Sequence, residues 1–295
     1  MNRAERKKKT LRAKMQGTQP LVVLGAHDAM SARLIERAGF EAVWVSGFGV
    51  STMTHALPDL NLITMSEALA AAQRIDGATE LPVIADCDNG YGSLGNVVRT
   101  AREYERAGIA AICIEDNIFP KKNSLLDGSV RRELIPAEEQ ARRLAAAKQA
   151  QDDPDFVLIA RVESLIAGHG VEDACERASA YARAGADAIL IHSRDRTLKE
   201  IRDFLEAWKG RKVDLPLVAV PTLFPDYTDQ ELLALGFRVI IWANQLMRAS
   251  VKAMEDTLET LLASRKVAAA DPTIASVDHV FDLVGTREAI DLESR

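Results

Sequence analysis

Four times along this chain an amphipathic segment closes on small residues and a glycine, and an apolar run follows at once. The steps are Glu36-Arg-Ala-Gly39, Glu105-Arg-Ala-Gly108, Ala182-Arg-Ala-Gly185 and Leu233-Ala-Leu-Gly236. A glycine just past a helical period reads as a helix C-terminus, because it enters the left-handed region without a Cβ penalty. Seven residues beyond these glycines stand Ser46, Glu115, His192 and Ala243, so three of the four apolar runs end on a polar tip. Further apolar runs cover 21–25, 82–86, 156–161 and 216–221. Eight buried strands, most of them separated by helix-length amphipathic segments, predict an α/β fold of the (β/α)8 TIM-barrel type over an open doubly wound sheet.

In such a barrel the functional groups stand at the carboxyl ends of the strands. Here those ends carry His27, Asp28, Ser46, Gly47, Asp86, Asp88, Glu115, Asp116, Arg161, Glu163, His192, Thr222 and Asn244. Any one of them could be a cap; their convergence predicts a site. Two connections, 47–63 and 117–136, exceed the roughly 2–6 residues usual for such loops. The first holds Asp59. The second, Asn117-Ile-Phe-Pro-Lys-Lys-Asn-Ser-Leu-Leu-Asp-Gly128, mixes apolar with basic residues and has no helical period, which predicts a lid closing over an anion. A plain surface loop is the alternative.

The stretch 81–92, Leu-Pro-Val-Ile-Ala-Asp-Cys-Asp-Asn-Gly-Tyr-Gly, ends an apolar run in two carboxylates and a glycine turn. Strand alternation puts Asp86 and Asp88 on one face and Cys87 on the other. Two such carboxylates stay ionised together only with a cation or several donors between them, and a hard divalent metal suits that place. The alternative makes one aspartate a helix cap and leaves the other solvated in the turn. With Glu115 the set offers three ligands to Mg2+, for which Mn2+ could substitute. Arg161 and the lid lysines suit a small anionic substrate, and the backbone N–H groups of Ser46, Gly47 and Phe48 can approach an anion closely. No glycine cradle follows the last two strands, so a compact acid is expected and not a sugar phosphate.

Composition narrows the partners. The 47% of hydrophobic residues include only 5% aromatics, which suits a core of Ala, Val, Ile and Leu between helices and a parallel sheet. A net charge of -6 argues against a nucleic-acid surface while leaving room for a local basic pocket. Cys87, Cys113 and Cys175 are odd in number and lack metal-type spacing, so they read as reduced, as in the cytoplasm. The basic start over 3–14 runs into Met-Gln-Gly-Thr-Gln-Pro20 instead of an apolar stretch, and no run approaches the ~20 apolar residues of a membrane span. Neither export nor membrane insertion is indicated, and charges nearly all round predict that 3–14 is a solvated helix. After the eighth strand, 244–264 reads as a long helix with Leu246, Val251, Met254, Leu258 and Leu261 on one face; it completes the barrel or leaves it. The amphipathic segment 274–284 has no place in a closed barrel. The chain thus reads as one barrel domain over 1–295 whose extension, 266–295, packs on a partner subunit through Val280, Phe281, Leu283 and Val284.

Together these motifs resemble the phosphoenolpyruvate mutase branch of the isocitrate lyase superfamily over almost the whole chain. The resemblance rests on Trp44-Val-Ser-Gly47, Pro58-Asp59, Asp86-Cys-Asp-Asn-Gly-Tyr-Gly92, Glu115-Asp116, Phe119-Pro-Lys-Lys-Asn-Ser124, Ala160-Arg-Val-Glu163, Gly185-Ala-Asp-Ala-Ile-Leu-Ile-His-Ser193 and Ile241-Trp-Ala-Asn244. It implies that Asp86, Asp88 and Glu115 hold Mg2+ directly or through water. It implies that Trp44, Ser46, Gly47, Phe48, Ser124 and Arg161 bind substrate, and that Lys121, Asn123 and His192 lie near its reactive group. Asp59 matches the family's candidate phosphoryl acceptor, the alternative being donors such as Asn123 around a metaphosphate-like species. The implied reaction interconverts phosphoenolpyruvate and phosphonopyruvate for phosphonate biosynthesis, with helix exchange between paired barrels in a dimer or a dimer of dimers. A phosphonopyruvate hydrolase is the main alternative. A carbon–carbon lyase of the superfamily carries a lid Lys-Lys-Cys-Gly-His pattern, and Asn123-Ser124 stand here in place of its cysteine and glycine. A barrel that only binds small acids would be free to lose the lid and metal groups, all of which are present.

Overall fold

A computed structural model of the chain describes residues 1–126 and 129–294; the Asp127-Gly128 step of the expected lid, and Arg295, lie outside the described residues. Eight strands, β1 (Leu21–Ala26), β2 (Ala42–Val45), β3 (Val83–Asp86), β4 (Ala111–Glu115), β5 (Val157–Val162), β6 (Ala188–Ile191), β7 (Leu217–Ala219) and β8 (Phe237–Trp242), close in chain order into a parallel barrel. The closure is legible in one residue, since Val23 pairs with Ala42 on one side and Ile241 on the other. The helices are α1 (Arg3–Met15), α2 (Ala29–Arg37), α3 (Gly47–His55), α4 (Met65–Gly77), α5 (Leu94–Arg106), α6 (Ala137–Gln149), α7 (Ser164–Ala167), α8 (Gly170–Arg183), α9 (Lys199–Lys209), α10 (Asp229–Leu235), α11 (Gln245–Ser264), α12 (Val277–Val284) and α13 (Thr286–Glu293).

The repeated glycines do what their spacing predicts. Gly39, Gly108, Gly185 and Gly236 have φ of +88°, +89°, +97° and +118°, each turning a helix directly into the next strand. Inward-facing Val23, Ala42, Ile84, Cys113, Ile159, Leu190, Val218 and Ile241 fill one buried cluster, a packed interior of small and branched side chains. Gly25 is required for closure between β1 and β8, because a Cβ there would stand 2.0 Å from the Ala243 carbonyl oxygen.

The basic N-terminal helix corrects the sequence reading. It is not solvated all round: Leu11 and Met15 join the barrel's apolar cluster. Lys7 is 1% exposed and Lys8 6%. The Lys7 ammonium donates to Asp76 Oδ1 at 2.7 Å and to the Thr79 carbonyl at 2.7 Å, and Lys8 pairs with Asp153 at 2.7 Å. Long lysine stems cover apolar surface while their heads reach carboxylates contributed by other elements, so charge on every side of a helix does not make it a surface helix.

The chain forms two compact units, Met1–Asn244 and Gln245–Arg295. The second unit opens with the long helix α11 and includes the 266–295 segment. Within the second unit Leu283 is buried, while Val280, Phe281 and Val284 are exposed. No helix among the described residues is long and apolar enough to cross a membrane.

Candidate active site

The carboxyl ends of the strands enclose a small cavity of about 60 Å3. Trp44, Ser46, Phe48, Asp59, Asp86, Glu115, Lys121, Asn123, Ser124, Arg161 and His192 all line it, with Thr222 and Asn244 completing the wall. Asp28 takes its bland role: it caps α2, accepting from the Ser31 N–H at 2.7 Å. His27 is buried beside Gly49 and does not reach the cavity.

Ser46 ends β2 and caps α3, its Oγ accepting from the Gly49 N–H at 3.0 Å. That places the first amides of α3 at the cavity, where the helix dipole favours an anion. A Cβ on Gly47 would stand 3.2 Å from Asp86 Oδ2 and 3.4 Å from Asp88 Oδ1, so glycine is what lets both carboxylates approach this turn. The two aspartates do share a face, but not through strand alternation. β3 stops at Asp86, and Asp88 has φ +49° in a turn whose N–H donates to Asp86 Oδ1 at 3.2 Å.

The lid leaves and rejoins the barrel through a short antiparallel bridge between Asn117 and Leu134. Inside it, the Lys121 ammonium is bonded to Asp88 and lies 2.8 Å from Asp59. Asp88 therefore sits behind Lys121 and does not itself line the cavity. Asn123 Nδ2 donates to Asp59 Oδ2 at 2.7 Å, while Asn123 Oδ1 accepts from the Leu125 N–H at 2.9 Å. Two lid residues thus grip Asp59, a carboxylate outside the Asp86–Asp88 turn.

Opposite lies a denser network. Glu163 is fully buried and accepts from Ser124 Oγ at 2.9 Å and from Arg161 Nε, and it lies 3.1 Å from His192 Nδ1. Burial alone would raise its pKa, but Arg161 and His192 outweigh it and hold the carboxyl well below the usual range. Burial lowers the pKa of His192 against the pull of Glu163, which keeps the imidazole neutral. Nδ1 faces a donor and an acceptor together, Arg161 Nη2 at 3.0 Å and the Glu163 carboxylate at 3.1 Å. Arg161 also donates to Ser124 Oγ at 2.6 Å and faces Glu115 at 3.5 Å. Asp116 serves the frame, accepting from Tyr181 at 2.7 Å, Arg177 at 3.2 Å and the Glu163 N–H at 3.0 Å.

Burial pushes the carboxyls of Asp88 and Glu115 upward, only partly opposed by Lys121 and Arg161. For Lys121 burial works downward, yet Asp88, Asp59, Asp86 and Glu115 hold its pKa well above normal. Among the described residues no three carboxylate, imidazole or thiol groups already converge as a metal cage. The chemistry nevertheless fits a hard divalent cation: oxygen donors crowd against a glycine turn and carry more negative charge than nearby cations neutralise. Asp86, Asp88 and Glu115 are the residues that would hold it.

The sequence reading placed Glu163 at a strand end but gave it no role, although it stands two positions from Arg161, a spacing that alternation could have used, and it missed a second residue. Asn61, bonded to Asp88 and the lid, gave no signal beyond its place in Leu-Pro-Asp-Leu-Asn.

The sequence matches the profile of the family described as phosphoenolpyruvate phosphomutase over residues 11–262. It is 40% identical over 291 residues to phosphonopyruvate hydrolase of Variovorax sp., covering 98% of each chain. The fold superposes with a TM-score of 0.93 on the crystal structure of phosphoenolpyruvate phosphomutase from Streptomyces platensis subsp. rosaceus, at 43% identity and 98% of each chain. A phosphonopyruvate hydrolase crystallised with oxalate and Mg2+ gives a TM-score of 0.90, at 38% identity and 98% of each chain.

Proposed function

The chain belongs to the phosphoenolpyruvate phosphomutase family of the isocitrate lyase superfamily, and from that membership we propose that it interconverts phosphoenolpyruvate and phosphonopyruvate. The observation that carries this reading is the double grip of Lys121 and Asn123 on Asp59 beneath a closed lid. A mutase must hold the liberated phosphoryl group and return it, so it needs cation and amide donors over the acceptor and no path for water.

The α3 amides and Arg161 bind the carboxylate end of the substrate, where a fixed dipole and a guanidinium suit a small acid. Asp86, Asp88 and Glu115 would hold Mg2+ directly or through water, and the ion would supply Lewis-acid stabilisation to the developing enolate. Asp59 is the acceptor: its carboxylate takes the phosphoryl group as the carbon–phosphorus bond breaks, and the bonding pair stays on the pyruvate enolate. Lys121 and Asn123 then hold the phosphoryl oxygens while the enolate oxygen takes the group back from Asp59. No proton or electron is gained or lost overall. His192, held beside Glu163 and Arg161, lines the cavity and keeps the reacting end in register.

Hydrolysis is the second reading, favoured by the 40% identity to a phosphonopyruvate hydrolase over 98% of this chain. There water takes the phosphoryl group and carbon 3 of the enolate takes a proton, giving phosphate and pyruvate. Phosphorus NMR of purified protein with Mg2+ and phosphonopyruvate separates the two. The mutase reading expects phosphoenolpyruvate as the dominant product; chiefly inorganic phosphate would replace it with the hydrolase, and untouched phosphonopyruvate would sink both.

The second unit supports self-association. Val280, Phe281 and Val284 leave an apolar face on a short helix, which a second copy of the chain would cover in a dimer or a dimer of dimers. A monomer by light scattering at micromolar concentration would contradict this.

A further inference from the structure

Asn61 lies between Asp59 and α4 with φ +57°, a left-handed conformation that asparagine tolerates better than most residues. Both ends of its amide are engaged. Nδ2 donates to Asp88 Oδ2 at 2.9 Å, and Oδ1 accepts from the backbone N–H of Lys121 at 2.6 Å and from Asn89 Nδ2 at 3.3 Å. None of these partners is close in the chain: they stand 27, 60 and 28 residues away. Asp88 and Lys121 are thus joined twice, once through the ammonium and once through the Asn61 amide. Two positions earlier, Asp59 receives Asn123, so one short segment takes the lid at two points.

We propose that Asn61 is a positioning residue that ties the lid backbone to Asp88, making closure over the cavity and the placing of that carboxylate one event. The chemistry selects an amide. Aspartate could accept from the lid N–H but would offer no donor to Asp88 and would add a like charge; an aliphatic residue would do neither. With Oδ2 engaged by Asn61, the Asp88 carboxylate has one fixed orientation and gives Oδ1 to the Lys121 ammonium. The proposal rests on reading 117–136 as a closing lid over a metal-dependent phosphoryl transfer.

The test deletes the amide and keeps the backbone: Asn61→Gly, because glycine adopts φ +57° without strain. Hydrogen exchange over 118–126 is compared with and without Mg2+ and oxalate, a compact dianion. Wild type should gain protection with the pair bound, and Asn61→Gly should lose at least about tenfold of that gain while its unliganded melting temperature stays within about 3 °C. With phosphonopyruvate, the variant should divert a larger fraction to pyruvate and phosphate, a partition that a general loss of folded protein would not move. Equal protection and equal partition in wild type and variant overturn the proposal alone. Absence of protection in wild type overturns the lid reading and the proposal with it. Should the glycine variant fail to fold, Asn61→Asp, which tolerates the same φ but offers no donor to Asp88, carries the same comparison.

Discussion

Replacing Glu163 by glutamine tests whether its charge, and not only its shape, organises the site. The substitution is isosteric. Its carbonyl can still accept from Arg161 and His192, and its NH2 can face Ser124 Oγ, whose lone pairs can receive it. The loss is therefore electrostatic. Removing one partner of a buried, hydrogen-bonded ion pair costs about 3–5 kcal/mol. Because Arg161 keeps Glu115 at 3.5 Å, the lower end, about 3 kcal/mol, is the expectation. At roughly 2–4 °C per kcal/mol for a chain of this size, the melting temperature should fall by about 6–12 °C. If the misplaced guanidinium is felt wholly in the transition state, kcat/KM should fall about a hundredfold. The sign with pH follows from the depressed pKa. The unfolded glutamate titrates near about 4.3, the folded one well below it, so the Glu163 contribution is present above that range and is lost as pH falls through it. The variant should lack this acid loss. Scanning fluorimetry across pH with steady-state kinetics checks both; a melting temperature within about 2 °C of wild type and kcat/KM within about threefold would refute the argument.

Three other outcomes follow from particular contacts. Burial pushes the Asp116 carboxyl up to about 6, against the pull of Arg177 and Tyr181. Its contribution is therefore fully present below the unfolded pKa and is lost as pH rises through the folded one, worth about 1 kcal/mol between about pH 5 and about pH 7.5. Asp116→Asn should abolish that part of the slope in urea midpoints, and an unchanged slope would contradict the assignment. Lys7→Ala should cost about 2–3 kcal/mol by removing the buried partner of Asp76, which keeps Arg3 at 2.8 Å, while leaving kcat within about twofold. A thermal melt unchanged from wild type would return that helix to the solvated reading. Asn123→Ala should slow turnover about tenfold or more and raise the hydrolysed fraction in phosphorus NMR, since a donor over Asp59 is lost.

Most of the barrel was legible because its repeat is local. A glycine that must turn left-handed, an apolar run and a polar tip recur within a few residues, and each can be read without its partners. The site was legible for the same reason, one tip at a time. What failed were inferences that needed distant partners. Lys7 reads as solvent-facing until Asp76 is placed beside it, 69 residues on. Asp86 and Asp88 were assigned to one face on the assumption that β3 continues; a turn at Asp88 brings them together instead, and Gly47 from another strand end makes the room. Asn61 is recognised only when the lid is folded over it. The mutase and hydrolase readings differ in what happens after the carbon–phosphorus bond opens, and the sequence places that difference on one lid side chain, Asn123.

The charge balance of the closed site constrains the order in which ligands enter. Asp59, Asp86, Asp88, Glu115 and Glu163 are five carboxylates gathered around two strong cations, Lys121 and Arg161, because His192 is kept neutral. Glu163 and Glu115 share Arg161, and Asp59 and Asp88 share Lys121, so Asp86 faces the cavity with the least compensation. A dianion placed there at low dielectric would meet repulsion of several kcal/mol at separations of about 4–5 Å, even with an effective dielectric constant of about 20. The α3 amides offset part of that, typically about 1 kcal/mol for a helix terminus. The remainder requires a divalent cation to arrive before the substrate or with it. Calorimetry should then show oxalate binding at least about a hundredfold weaker in chelator than in Mg2+. Asp86→Asn, which removes one facing charge, should narrow that gap by weakening the Mg2+ arm and strengthening the chelator arm. Equal oxalate affinity with and without Mg2+ would mean that Arg161 and Lys121 alone suffice, and that the crowded carboxylates have another purpose.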